Sequence, residues 1–554
     1  MKKLFILLWM VVAASACNSV DLTPADRYDK AYSFKSLENA QLYLNYFYKE
    51  IFQFGQFGSN ALGGSNSNMS DGLTDILKYG GIVAGTGDCN LIMTVDGQQS
   101  ANRNYFDSWT TCYGWIRRIN EFLQGLEENK GNFSEEQVNR LKAEALFFRA
   151  WSYFLIMRSH ASQKDNLGII PYTDIKSMNP EGKDRERANL EDSWDVVKAD
   201  IEFAAANLPE RADAAGRLHR YAALALEARA MLYAGRYSVA KAAVEELFQK
   251  GGYAYEMDYD AIFASLGSKE AIWGYGFSSG VLVHQFDAKY SQPGDVCLKG
   301  NFGGGLAGPT QEFVDMFDNA DGTAFNISDA ARRFITPDNV ISRDPRLAKC
   351  VLFNQALWKG RKLECYDGGI DQKYMPYGSV NSPGNTVTGY YIRKLLDQSN
   401  TDFHVNGSYQ PWIEFRYAEM KLIYAECCAY EKDYSTAWDT VDELRGIRFG
   451  ADVYTAPINS WESALDVILK ERAVELCFEG HRFWDLMRTG RAAQVLDGKK
   501  YSGVWWHPKG DGTFTPELIV CDMGARRYPE RFDRFPIPQT EINNNRLARQ
   551  NSDW

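Results

Sequence analysis

Three glutamates four residues apart, Glu471, Glu475 and Glu479, lie on one helical face beside Arg472, and His481 and Arg482 follow at once. Carboxylates, an imidazole and guanidinium groups in one run are the types that perform general acid–base chemistry, provided a cavity and a partner with a shifted pKa accompany them. A structural role asks for less, because glutamate and arginine form two-pronged ion pairs that hold elements together. The run "LCFEGHRFWDLMRTGR" at 476–491 also carries Leu476, Phe478, Phe483 and Trp484 as a core side, and Arg482, Arg488 and Arg491 follow Gly480. Charge-rich helical runs pair or solvate more often than they catalyse. The expectation is a bracket joining the last helical hairpin to the C-terminal tail, with no catalytic residue in it.

Other catalytic signatures are missing. The chain has no phosphate-binding P-loop, no G-x-G-x-x-G after a strand, no G-x-S-x-G and no H-E-x-x-H. Its six histidines are scattered without metal spacing, and its cysteines form no C-x-x-C pair. Two acids for glycoside hydrolysis need only meet in space, so the sequence leaves that chemistry open. A net charge of -11 argues against a nucleic-acid or anionic-membrane face, both of which need a basic stripe. With 14 Trp and 31 Tyr, aromatic residues exceed what a core comfortably uses, which suits contact with a neutral ligand.

These groups need elements to hold them. Lys2 and Lys3 lead an apolar run from Leu4 to Ala14, half the length of a membrane span, and Ala14-Ser15-Ala16 precede Cys17. This predicts a signal peptide over 1–16 and, with Cys17 resembling the acylated cysteine of a bacterial lipoprotein box, a lipid-anchored tether over 17–35. Helical periods follow at 36–54, 105–126, 134–160, 191–207 and 217–250, the last broken at "YAGRY", and resume at 411–448 and 461–488. Ser134 and Gln137 form a capping-box pattern. The pattern divides into an N-terminal helical region (36–250) with a loop insertion at about 55–104, an irregular loop and short-strand region (251–410), and a C-terminal helical region and tail (411–554). The tail is expected to be loop with one extended patch, "RFPIP".

Residues 233–247, "YAGRYSVAKAAVEEL", and 430–444, "YEKDYSTAWDTVDEL", share Tyr, Tyr, Ser, Ala, Val, Glu and Leu in register, and Ala228 and Ala425 precede them at matching positions. Small alanine at a helix crossing, a tight turn and a second helix make a tetratricopeptide-like hairpin, which buries its apolar face only by stacking on neighbours. The predicted fold is mostly α-helical: about four such hairpins as scaffold, with loop-rich, partly β excursions carrying the ligand site.

The segments "RYAEMKLIYAEC", "ILKERAVELCFEGHRFWDLMRTG", "RDPRL" and "FPIPQTEINNNRLARQN" together resemble the landmarks of the SusD/RagB family of Bacteroidota outer-membrane lipoproteins, over nearly the whole chain. The resemblance implies a non-enzymatic binder of oligosaccharide or polysaccharide. It implies a lipid-anchored protein on the extracellular side of the outer membrane, acting as lid on a TonB-dependent SusC-like transporter. It implies no nucleic-acid partner and membrane contact through the N-terminal lipid alone. A secreted carbohydrate-active enzyme, or an assembly partner without glycan affinity, are the alternatives at this point.

Family members carry the sugar site on loops away from the scaffold, which points to the two excursions. Sugar binding needs flat aromatic faces for pyranose C–H groups and amides, acids or cations for hydroxyls. The candidates are Asp71, Asp75, Lys78 and Tyr79 in the first excursion, with Asn68, Asp96 and Gln98 near them. In the second they are His284, Tyr290, Trp358, Tyr366 and Tyr374, with Tyr377. Tyr79 before Gly80-Gly81, Trp358 before Lys359-Gly360, and Tyr366 before Asp367-Gly368-Gly369 read as exposed loop aromatics, whereas Trp109 and Trp273 read as core. No cofactor is called for, and the acidic loop at Asp258 and Asp260 leaves a structural calcium open.

Overall fold

The computed structural model describes residues 30–51, 69–80, 100–102, 107–178, 184–295, 303–372, 386–522 and 524–554. Cys17, Asn68, Asp96, Gln98, Tyr374 and Tyr377 lie outside them.

Caps start the scaffold helices. Helix α1 (Leu37–Ile51) begins at Ser36, whose hydroxyl accepts the Asn39 N–H at 3.3 Å. Helix α2 (Trp109–Glu128) starts later than its apolar period, because the Asp107 carboxylate accepts the Thr110 N–H at 3.3 Å and sets the entry there. Helix α3 (Glu135–His160) has the capping box in full: Gln137 N–H donates to the Ser134 hydroxyl and Ser134 N–H to the Gln137 side chain. Helix α4 (Leu190–Asn207) starts from Asn189, which accepts the Asp192 N–H at 2.8 Å. Then come α5 (Arg220–Tyr233) and α6 (Tyr237–Lys250), and, after the middle of the chain, α7 (Tyr417–Tyr430), α8 (Tyr434–Phe449), α9 (Trp461–Glu475) and α10 (Arg482–Arg488).

Each long helix packs on the next from α2 through α6, α6 packs on α7, and α7 packs on both α8 and α9. The repeat is therefore a pair of adjacent hairpins, α5–α6 and α7–α8. Ala228 and Ala425 are fully buried at the crossings. Gly235 (φ +69°) and Lys432 (φ +67°) hold the same turn position, a left-handed conformation that lysine adopts at a cost and glycine freely. Tyr237 of the first unit stacks on Tyr430 of the second, ring centroids 3.9 Å apart.

Strands are short. β1 (Leu77–Tyr79) pairs antiparallel with β3 (Ala307–Pro309), and β2 (Ala271–Tyr275) with β4 (Trp412–Arg416). The β2–β4 ladder corrects the expectation of helix from residue 411: Trp412, Ile413 and Phe415 are β-favouring types, and helix begins only at Tyr417. A bulged register at Trp273 and Gly274 lets the backbones close tightly; a methyl group on Gly274 would meet the Trp412 carbonyl oxygen at 2.3 Å. The tail is not mainly loop either, since β5 (Ser502–Pro508) and β6 (Phe514–Val520) form a hairpin.

One apolar core runs from Phe34 to Ala548 and takes in residues of the helical stack, the middle region and the tail. Trp273 and Trp109 are in it, as expected, with Trp273 edge-on to Phe147 at 5.5 Å. A second cluster joins α7, α8 and α9 through Leu422, Val441 and Ile468. Among the described residues no helix is long and apolar enough to cross a membrane.

Candidate functional site

The acid-rich run does not continue as one helix. Helix α9 stops at Glu475, and the chain turns through Phe478 (φ +62°) and Gly480 (φ +77°) before α10. Phe478 holds its left-handed backbone because its ring is buried against Phe313, 5.4 Å away. The turn delivers Glu475 and Glu479 into the interior, where Arg416, at the end of β4, lies between them: its guanidinium donates to Glu475 at 2.8 Å and to both oxygens of Glu479 at 2.7 Å. Arg416 also donates to Glu270 at 2.6 Å, Arg448 bridges Glu270 and Glu475, and Lys394 donates to Glu479 at 2.6 Å. Arg346, from the "RDPRL" segment, pairs with Asp344, Glu471 and Glu475.

All of these side chains are buried. Burial alone would push Glu475 up, but Arg448, Arg416 and Arg346 hold it well below the usual carboxylate value; Glu479 is held down likewise by Arg416 and Lys394. Burial, then the charges of Arg229, Arg472 and Arg416, keep His481 neutral. Permanently ionised acids saturated by cations, with a neutral imidazole behind them, have no proton to offer a substrate and no surface to meet one. The bracket is real, and broader than expected. It ties the start of α7, α8, α9 and the middle of the chain together, while Phe483 and Trp484 reach the tail at Phe535.

The first-excursion candidates lie inside the molecule, which corrects their reading as a loop surface. Asp75 receives Arg482 in a two-pronged pair at 2.8 and 3.0 Å, and Lys78 donates to Asp522 at 2.7 Å. Tyr79 is not an exposed platform: its hydroxyl meets that of Tyr290 at 2.8 Å and receives the Met69 N–H. Asp71 accepts the Gly480 N–H at 3.0 Å, and burial pushes its carboxyl up to about 7. The segment is a buried strap under α10, drawn inward by pairing with residues some four hundred positions away.

In the second excursion His284 is buried and neutral, receiving the Phe286 N–H and bonding the Gln410 carbonyl, with its pKa lowered to about 4 by burial. Tyr290 is buried with Tyr79. Tyr366 is half-buried and stacked on Phe514 at 4.8 Å. Trp358 is 2% exposed rather than a free loop tip, its indole N–H donating to Asp295 at 3.0 Å. It nevertheless lines a groove of about 360 Å³ with Tyr259, Arg393, Asp397, Gln398, Tyr409 and Gln410.

That groove has the composition a polar, ring-bearing ligand needs. Tyr409 is 37% exposed. Gln410 donates to the Leu395 carbonyl at 2.6 Å, while its amide oxygen is buried with no hydrogen-bond partner among the described residues. Asp260, at the rim, is engaged by Lys349 at 2.6 Å and Arg393 at 3.0 Å. Cations thus occupy the acid that the calcium reading would use. Sequence reading missed Tyr409 and Gln410, although "NGSYQP", a turn cluster with one aromatic inside it, marks them. A second cleft, about 600 Å³, opens between α3, α4, the end of α5, α10 and the tail, where Arg158 lies over the Trp484 ring at 4.2 Å.

Residues 269–554, more than half of the chain, match the sequence profile of the SusD family, and residues 73–232 match that described as starch-binding associating with outer membrane. The chain belongs to the SusD family. SusD-like protein P25 of Formosa agariphila is 23% identical over 73% of this chain and 73% of its own length. SusD-like protein P38 of the same organism is 32% identical over a stretch covering 22% of this chain and a quarter (25%) of the relative. Among solved structures, a SusD-like carbohydrate-binding protein from Bacteroides fragilis superposes with a TM-score of 0.76 at 25% identity, covering 93% of this chain and 100% of that one. A laminarin-binding SusD-like protein superposes with a TM-score of 0.60 at 21% identity, covering 93% and 99%. The mostly helical SusD fold, with its tetratricopeptide-like scaffold, is the fold of this chain. The buried acid–arginine bracket thus sits in a family of carbohydrate-binding proteins associated with the outer membrane.

Proposed function

We propose that this SusD-family chain is a cell-surface glycan-binding lipoprotein, anchored through Cys17, which captures oligosaccharide without cleaving it and passes it to a TonB-dependent SusC-like transporter that it covers as a lid. The observation that carries the capture step is the groove beside Trp358. It pairs a partly exposed Tyr409 ring, suited to pyranose C–H faces, with the exposed Gln398 amide and the charged Arg393 and Asp397, suited to hydroxyls. Family membership and the names of the carbohydrate-binding relatives support the ligand class. Among the candidates read from sequence, Trp358 keeps a place as groove wall. The stacked helices offer the extended face that a large membrane partner needs.

The test is a panel of plant, host and microbial glycans presented to the purified chain, read for retention and for released product together. Retention without shorter sugars is expected; release of shorter sugars would refute the non-enzymatic reading, and no retention at all would leave transporter assembly as the role. Co-purification with the transporter from envelope extracts, lost when Cys17 is replaced but the soluble chain still binds glycan, tests the anchored lid.

A further inference from the structure

The bracket contains a second, chemically distinct pair. Cys350, the last residue of the short helix Arg346–Cys350, and Cys477, in the turn between Glu475 and Glu479, touch sulfur to sulfur at 3.4 Å, both fully buried. We propose that these two cysteines are joined as a disulfide in the exported protein, locking the "RDPRL" segment to the α9–α10 turn. The inference rests on the envelope location proposed above, since only outside the cytoplasm would the bond persist.

Geometry favours closure. A disulfide needs its sulfurs at about 2.05 Å, so side-chain rotation has to remove roughly 1.4 Å of the observed separation. The Lys394 ammonium stands 3.9 Å from the Cys477 sulfur and the Tyr259 hydroxyl 3.8 Å from that of Cys350. Burial pushes both thiols up, but the Cys477 S–H and the Lys394 charge pull Cys350 below the ordinary thiol value, while Cys477 stays well above it. Those surroundings exist only in the finished fold, so either sulfur can open the exchange during folding, and the steps are equivalent whichever begins. Starting from Cys350, its thiolate attacks the disulfide of an envelope thiol oxidant, releasing one oxidant thiol and forming a mixed disulfide. Cys477, having lost its proton, then attacks the Cys350 sulfur and expels the second oxidant thiol, so the two cysteines give up two electrons and two protons to the oxidant. Because the finished fold buries both sulfurs, the exchange belongs to folding, before the two cysteines are enclosed. The two positions are 127 residues apart, and a bond closing so long a loop removes much freedom from the unfolded chain.

The full chain, exported to the envelope and also produced in a reducing cytoplasm, is alkylated in denaturant, digested without reductant and mapped by mass spectrometry. A peptide linking Cys350 to Cys477 is expected from the exported chain and not from the cytoplasmic one. Reductant is expected to lower the thermal midpoint of the exported chain by roughly 4 °C and to leave a Cys350→Ala/Cys477→Ala double variant unmoved. An exported chain with both cysteines alkylated overturns the disulfide while sparing the location. A chain that never reaches the envelope overturns the location reading instead.

Discussion

Replacing Glu479 by alanine tests the bracket at its centre. Its carboxylate accepts three charge-assisted bonds, two from Arg416 at 2.7 Å and one from Lys394 at 2.6 Å, all inside the protein. Arg416 would keep Glu270 and Glu475, but Lys394 would retain only the Glu475 carbonyl and the Cys477 sulfur. Removing one partner of a buried pair leaves a charge uncompensated, at a cost of about 3–5 kcal/mol. Glu121→Ala, which breaks an exposed pair with Arg117, supplies the control at about 0.2–1 kcal/mol. Urea unfolding followed by tryptophan fluorescence reads both, and glycan retention is measured at a temperature where both variants are folded. A loss under about 1 kcal/mol for Glu479→Ala would refute the structural account. So would a folded Glu479→Ala variant that no longer retains glycan, because that would make the acid a ligand contact.

Further outcomes follow from the same geometry. The carboxyls of Glu475, Glu479 and Asp485 are held below their ordinary values, so their stabilisation is complete above pH 4.5 and is lost as pH falls through the folded values; the urea midpoint should drop steeply on acidification. Asp71 runs the other way: raised from 3.8 to about 7, it penalises folding increasingly between those values, so Asp71→Asn should leave stability at pH 4 nearly unchanged and raise it at pH 8 by up to roughly 4 kcal/mol in urea titrations. Gly480→Ala places a side chain at φ +77° and should cost about 1–2 kcal/mol by the same assay. Tyr409→Ala, at a partly exposed position, should fold normally and weaken glycan retention about three- to tenfold, the worth of one aromatic contact; unchanged retention would reject the groove. His481→Ala should leave glycan retention intact in the folded protein, since the ring is buried.

Local signals made the scaffold readable. Ser134 with Gln137 marked the start of α3, and the matched tyrosines and alanines exposed the hairpin repeat, because caps and stacking positions depend on neighbours a few residues away. Strand β4 was hidden because its pairing partner, β2, lies some 140 positions earlier, and five residues carry too little period to announce themselves. The β5–β6 hairpin had a local sign, the glycines at 510 and 512 between aromatic and branched residues, and could have been found. The ligand candidates failed for a different reason. Tyr79 before two glycines looks like a loop tip until its hydroxyl meets that of Tyr290, and Lys78 looks solvated until Asp522 arrives. Burial of a polar side chain is decided by the distant residue that satisfies it, and no local pattern records that. The charged run at 471–482 was legible as structure, but not its partners: its glutamates are held by Arg346, Lys394, Arg416 and Arg448 from elsewhere in the chain, and its arginines by Asp485 and Asp75.

The Tyr237–Tyr430 stack brings neighbouring hairpins into direct contact although the entire middle of the chain separates them in sequence. Topologically, that middle segment is a cartridge plugged into an otherwise continuous spiral, held by Glu270, Arg346 and Lys394 reaching back into the stack. A cartridge with fixed plugs can be exchanged. Any transplant between relatives would have to carry, besides these three residues, the core side chains such as Trp273 and the strand pairings that the segment shares with the rest of the chain.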